Sequence, residues 1–247
     1  MLSSLNRGTF VMTSARQRLS GLCLSLLLPL LLLACAAEGG SKPLGCAHSA
    51  VACLSGKALV SLQTSKGEVL ISLDGKEAPL TAGNFVDLVK RGAYNGTVFH
   101  RVVREPVPFV VQGGDPTSAD PKVPASNYGM GSYVNPTSGE PRLIPLELAL
   151  KRQNEIRYGE TLSSAAQIRE LALTHQRGAV AMARSNDPNS ASAQFYVALE
   201  ALPELDGRYA VFGQVSKGMD VVDRIQQGDK IIKATLVEGG TLVKGQP

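Results

Sequence analysis

The chain has 247 residues, a formal net charge of +4, four Cys, three His and no Trp. Three of the positive charges, Arg7, Arg16 and Arg18, stand near the N-terminus with no acid beside them, so removal of the first 34 residues leaves +1. A body so nearly neutral has no basic stripe, which removes the electrostatic motive for binding nucleic acid.

Behind those arginines, Leu22 to Ala34 (LCLSLLLPLLLLA) carries no charge. The run is short and broken by Pro29, which disfavours a membrane-spanning helix and fits a secretory signal with a basic start and an apolar middle. Leu32, Leu33, Ala34 and Cys35 resemble the bacterial lipobox. That resemblance implies cleavage before Cys35 and acylation of its thiol, each buried CH₂ then contributing ~0.8 kcal/mol of anchoring. A plain signal peptide that frees a soluble exported protein is the alternative, and Met12 is a second candidate start. AAEGGSKPLG follows as a flexible tether. The expected organisation is therefore a signal peptide over 1–34, a lipid-anchored tether over 35–56 and a folded domain over 57–247.

Cys46 and Cys53 lie where tether meets domain, and in an oxidising compartment they form either a local disulfide or two free thiols. His48 sits between them. With only His100 and His175 elsewhere and no paired CxxC, no metal site is expected.

In the domain, Ala58 to Thr64 and Glu68 to Leu73 alternate apolar and polar residues across Ser65, Lys66 and Gly67, which predicts a hairpin. Leu80 to Arg91 places Phe85, Leu88 and Val89 at helical spacing, with Thr81 as a cap and Gly92 as the stop. After a turn at Tyr94, Asn95 and Gly96, the stretch from Phe99 to Asp115 predicts two strands, TVFHRVV and PFVVQGG, separated by a bulge at Pro106 and Pro108. Pro116 to Arg177 is looser. RLIPLEL predicts a returning strand, and Leu148 to Leu173 one or two short helices, with AAQIRELAL the better candidate. Such a length between strands predicts an enlarged loop region with small elements of its own. Strands follow at Gly178 to Ala183, Gln194 to Leu199 and Ala210 to Val215. Lys217 to Gln226 predicts a second helix, with Met219, Val222 and Ile225 on one face, and Asp229 to Leu236 a last strand. Many strands with two helices predict a mainly β fold, an antiparallel barrel whose open ends the helices cover.

Four pieces occur in order: Phe99-His100-Arg101, PFVVQGGD, MARSNDPNSASAQFYV and LDGRYAVFGQV. Together they resemble the cyclophilin family of peptidyl-prolyl cis-trans isomerases over most of Ala58 to Leu242. The resemblance implies a closed eight-stranded antiparallel β-barrel capped by two α-helices, here with an insertion over about 116–177. It implies a catalytic role for Arg101, with Gln112 as the amide at the rim. Phe109 and Val110 then floor a proline pocket, Tyr196 and Leu205 wall it, Tyr209 is a substrate contact where the family often has a His, Ala183 and Arg184 form the edge that receives the substrate backbone, and His100 is a second-rank contact. Proline-containing polypeptides are the implied partners of a monomeric chain, with no cofactor.

These residue types suit the chemistry. Rotation of a prolyl peptide bond loses amide resonance against a barrier of ~18–20 kcal/mol, and no bond is made or broken. The site needs an apolar seat for the ring and a fixed donor that prefers the twisted amide to the planar one. A guanidinium stays charged at any working pH and supplies such donors. Without the resemblance, Arg101 reads as a solvated edge charge and Phe109, Tyr196 and Phe212 as core; Phe195 points opposite to Tyr196 and is expected in the core. Two departures from the family pattern stand out. The segment between Arg101 and Phe109 is longer than usual, which threatens the placing of the arginine, and Glu204 stands where many eukaryotic members have Trp, which leaves cyclosporin sensitivity open. A cyclophilin-fold binding or assembly module with little turnover is the alternative function.

Overall fold

Alternation from Ala58 to Leu73 folds into the hairpin it predicts, in a register that pairs Thr64 with Gly67 and Lys57 with Asp74. The computed structural model describes residues 45–49, 51–152 and 155–244. The leader, Cys35 and the first part of the tether lie outside the described residues. A short helix, α1 (Gly45–His48), opens the described chain. Cys46 and Cys53 are bonded, with their Cα atoms 5.8 Å apart. Strand β1 (Cys53–Thr64) begins earlier than the alternation predicts, because Cys53, Leu54 and Ser55 pair with the far end of the last strand. Residues 53–56, expected in the tether, therefore belong to the sheet.

After β2 (Gly67–Asp74) comes α2 (Pro79–Lys90), which buries Leu80, Phe85, Val86, Leu88 and Val89. Pro79 suits the first turn, where an N–H would be unpaired anyway, and Gly92 ends the helix at φ +70. Thr81 is not the cap. Leu80 N and Thr81 N instead donate to the carboxylate of Glu147, at 3.0 and 2.7 Å. No local rule could name a partner so distant in sequence.

The remaining elements are β3 (Arg101–Val102), β4 (Val110–Gly113), β5 (Glu147–Leu150), β6 (Glu155–Tyr158), α3 (Ala165–Arg169), β7 (Ala179–Met182), β8 (Phe195–Ala198), β9 (Val211–Lys217), α4 (Met219–Arg224) and β10 (Ile231–Val243). Eight strands form one antiparallel sheet in the order β10-β1-β2-β9-β7-β8-β4-β3. Its two edges meet just before β3: Val98 bridges Lys230, Phe99 N donates to Asp229 O at 2.8 Å, and Ile231 N donates to Thr97 O at 2.8 Å. These bonds complete the ring, so no long edge is left unpaired there.

The interior is packed around Phe85, Tyr94, Phe195 and Phe212, all fully buried. Phe85 lies 4.9 Å from Tyr94, 5.3 Å edge-on from Phe195 and 5.1 Å from Phe212, centroid to centroid. Burial of such side chains is worth roughly 1.5–3 kcal/mol each, and each aromatic pair adds about 0.5–1.5 kcal/mol.

The insertion has a small core of its own, built on Leu146, Leu148, Leu150, Leu162 and Leu171. Its helices are shorter than expected. Leu146, Leu148 and Leu150 recur at period two, and Leu148–Leu150 belongs to the β5–β6 hairpin; only Ala165–Arg169 of AAQIRELAL is helical, because Leu171 leaves to bridge Leu150. Likewise β9 runs on through Lys217, so α4 starts only at Met219, after Gly218 at φ +90.

Candidate functional site

Register builds the site. Arg101 pairs with Gln112, Gln112 with Tyr196, and Tyr196 with Ala181, a single row across β3, β4, β8 and β7. Paired residues share a face, and this row faces outward. The neighbouring row, Val102, Val111, Val197 and Val180, turns toward the barrel interior, where the last three are at most 3% exposed. The period of two thus separates core from site, and a slip of one residue would exchange them. Phe195 lies in the core and Tyr196 in a separate apolar cluster with Val110, Ala179, Ala181, Ala198 and Val211.

Over that cluster opens a pocket of about 370 Å³. Phe109, Val110, Tyr196, Leu205 and Tyr209 supply its apolar surface, while Arg101, Gln112, Ala183 and Arg184 complete the lining. Apart from His100, every residue assigned to the site by resemblance lines this one cavity. His100 lies to the side, half-buried beneath Gly129, whose φ of +89 and lack of a Cβ let the ring approach; a Cβ there would stand 2.8 Å from the imidazole. Burial pushes the His100 imidazole below its ordinary range, against the upward pull of Asp115.

The exposed Arg101 guanidinium lies 5.5 Å from the Phe109 ring centroid and donates a long 3.4 Å hydrogen bond to Gln112 Oε1. The extra residues before Phe109 do not displace it. Val103 N donates to Val110 O at 2.9 Å and Phe109 N to Val103 O at 3.0 Å, so residues 104–108 leave the ladder as a closed excursion. Arg104 ties that excursion to the end of α4 by donating to Val222 O and Ile225 O.

Beneath the rim is a layer of amides and acids that pattern reasoning did not find. Gln112 Nε2 donates to Gln194 Oε1 at 3.2 Å, and Gln194 Nε2 donates to Gly129 O and Gly131 O at 2.9 and 2.8 Å. Asp115, fully buried, accepts from Gly129 N, Gly131 N and Thr117 N. The loop carrying Met130 is thereby clamped beside the pocket, where it walls a smaller cavity of about 220 Å³ that shares Gln112, Ala183 and Arg184. From the barrel side, Asn84 and Tyr94 donate to Ser192 O and Ala193 O at 2.7 and 3.0 Å and fix the approach to β8. His175 and Asp206 stand behind Tyr196. The Tyr196 phenol is pushed far above its usual value, by burial first. A sequence signal for Gln194 and Asp206 existed, since both lie within the motifs that carry the resemblance, but their spacing alone assigns no partner.

The arrangement offers an apolar seat, an exposed cation at its mouth and an amide held in place. Among the described residues, no three His, Cys, Asp or Glu side chains are placed to share a metal ion.

The family profile described as "Cyclophilin type peptidyl-prolyl cis-trans isomerase/CLD" matches residues 59–241. A Synechocystis protein provisionally named a thylakoid lumen peptidyl-prolyl cis-trans isomerase is 38% identical over 203 residues, covering 78% of this chain; the chain spans half the length of that relative. A peptidyl-prolyl cis-trans isomerase of Helicobacter pylori is 33% identical over 180 residues, covering 72% of this chain and 86% of the relative. Among solved structures, a Cryptosporidium parvum cyclophilin-type isomerase crystallised in the presence of an alanyl-proline dipeptide shares the fold at a TM-score of 0.53 and 22% identity, covering 73% of this chain and 99% of that one.

Proposed function

Because this chain belongs to the cyclophilin-type peptidyl-prolyl cis-trans isomerase family, we propose that its groove catalyses rotation about Xaa-Pro bonds, with Arg101 as the group that favours the twisted amide. The proline ring sits on Phe109 and Val110 between Tyr196 and Leu205. The substrate backbone lies along Ala183 and Arg184. The guanidinium donates to the prolyl carbonyl and approaches the nitrogen as its lone pair is freed by twisting. Gln112, held by Gln194, takes a backbone group of the substrate and keeps the bond in reach of Arg101. The planar amide has less to offer these donors than the twisted one, and that difference is the catalysis. The single observation that supports the reading is the convergence of the cation, the amide and the apolar seat on one cavity of about 370 Å³.

A protease-coupled assay on a prolyl peptide tests it. Arg101→Ala lowers kcat/KM by roughly 10²–10³-fold, the usual loss for one preorganised donor. Equal rates for both proteins would leave a binding or assembly module.

For location, the reading is an exported protein held at a membrane by acylated Cys35. The leader, with its basic start and uncharged core, supports export, as does the relative in Synechocystis named for the thylakoid lumen, and the lipobox-like Leu32 to Cys35 supports the anchor. Cys35→Ser then releases the protein into the soluble fraction; retention of that variant on membranes counts against the lipid anchor.

A further inference from the structure

Tyr196 presents its ring to the pocket and its hydroxyl to the protein interior. The hydroxyl lies 2.9 Å from His175 Nε2, and the His175 side chain is wholly buried. The two rings are stacked, with centroids 5.9 Å apart and planes 13° from parallel. His175 is itself held on every polar atom. Its Nδ1 lies 2.7 Å from Asp206 Oδ1, its backbone N donates to the same oxygen at 2.8 Å, and its backbone O accepts from Leu202 N at 2.8 Å. Burial pushes the imidazole below its ordinary range, against the upward pull of Asp206. The network then assigns the tautomer: Nδ1–H faces the carboxylate, and Nε2 accepts from the phenol.

We infer that His175 and Asp206 are positioning residues for the pocket, acting through the Tyr196 hydroxyl to fix where its aromatic wall stands. The inference rests on the isomerase reading of the groove. His175 is supplied by the end of the insertion, Tyr196 by β8, and Asp206 by the turn that also carries Leu205 and Tyr209. The chain of bonds therefore ties opposite walls of one cavity together. Tyr209 meets the Tyr196 ring edge-on at 5.9 Å, so any swing of Tyr196 also changes the width of the seat. A buried hydroxyl costs free energy wherever it lacks its partner, and that gives the wall a preferred angle.

The test measures kcat and KM on a prolyl peptide, together with the dissociation constant of a short Xaa-Pro peptide by NMR titration, on proteins shown by melting curves to be folded. His175→Leu is expected to raise KM and the dissociation constant by about tenfold with kcat within about twofold, because it leaves the hydroxyl unpaired behind the wall. In the double variant Tyr196→Phe with His175→Leu, both polar partners are gone and the constants are expected to return to within about threefold of wild type. A role in stability alone would lower the melting temperature and leave both constants of the folded protein where they were. That outcome overturns the inference, as does a double variant no better than His175→Leu. Should His175→Leu not fold, Tyr196→Phe decides: it removes one oxygen and is expected to raise both constants about three- to fivefold, and unchanged constants overturn the inference. If the wild type shows no turnover, the isomerase reading fails, and the dissociation constants alone still decide the positioning role.

Discussion

Two regions meet at the groove, and they are held by different means. In β3, β4, β8 and β7 each site residue is placed by its ladder partner, so Arg101, Gln112, Tyr196 and Ala181 inherit their positions from backbone register. In the insertion, isolated backbone bonds such as Ile144 N to Ala191 O and Leu162 N to Gly207 O are joined by ties that pass through single polar side chains: Glu147 on the first turn of α2, Arg142 on Asp87, His175 on Tyr196. A ladder spreads its load over many equivalent bonds. A point tie concentrates it in one group, whose loss leaves buried partners unsatisfied. The outward row of the strands should therefore lose little stability on side-chain truncation, and the point ties of the insertion should lose more.

The sharpest way to break that contrast is Glu147→Ala. It strips acceptors from two helix N–H groups and from Tyr158 Oη, which donates at 3.0 Å. The expected cost is about 3 kcal/mol, seen as a fall in melting temperature of roughly 10 °C, with turnover per folded molecule little changed. A melting temperature within a degree of wild type would remove Glu147 as an anchor. Gln112→Ala is the converse: kcat/KM is expected to fall about tenfold, or ~1.4 kcal/mol, with no shift in melting, and a large loss of stability would show that the site row also bears load.

The smallest effect concerns Asp87, which accepts from Arg142 Nη1 at 2.6 Å and from Arg91 Nε at 2.7 Å. Burial alone would raise this carboxyl, but the two guanidiniums outweigh it and hold the group below the usual carboxylate value. A depressed folded-state value means that the stabilisation is present above the unfolded pKa and is lost as pH falls through the folded one. Asp87→Asn should thus cost about 1 kcal/mol at neutral pH, and denaturant midpoints of variant and wild type should converge below about pH 4. A gap that stays constant with pH would deny the ion pair its part.

The same contrast explains what could be read from residues alone. Alternation across Ala58 to Leu73 made the first hairpin legible, and the period of two set Phe195 against Tyr196; the pocket row came only from the motifs that carry the family resemblance, since Arg101 taken alone reads as a solvated edge charge and Tyr196 as a core residue. Thr81 as the cap of α2 was a sound local reading that a distant carboxylate overrode. Glu147, His175 and Asp206 each act on a partner far along the chain, and nothing in their own neighbourhood names it. In the insertion, the period-two pattern of Leu146, Leu148 and Leu150 was present, but it competed with a helical reading until the hairpin packing decided it.

The neck formed by Val103 and Phe109 separates what happens in residues 104–108 from the geometry of Arg101. Glu105, Pro106, Val107 and Pro108 are exposed beyond it, and Arg104 reaches back to the end of α4. Length and composition can vary there without re-aiming the guanidinium. The excursion is thus a splice point, suited to receiving a foreign epitope or a fluorescent reporter on the rim of the groove while the barrel stays as it is.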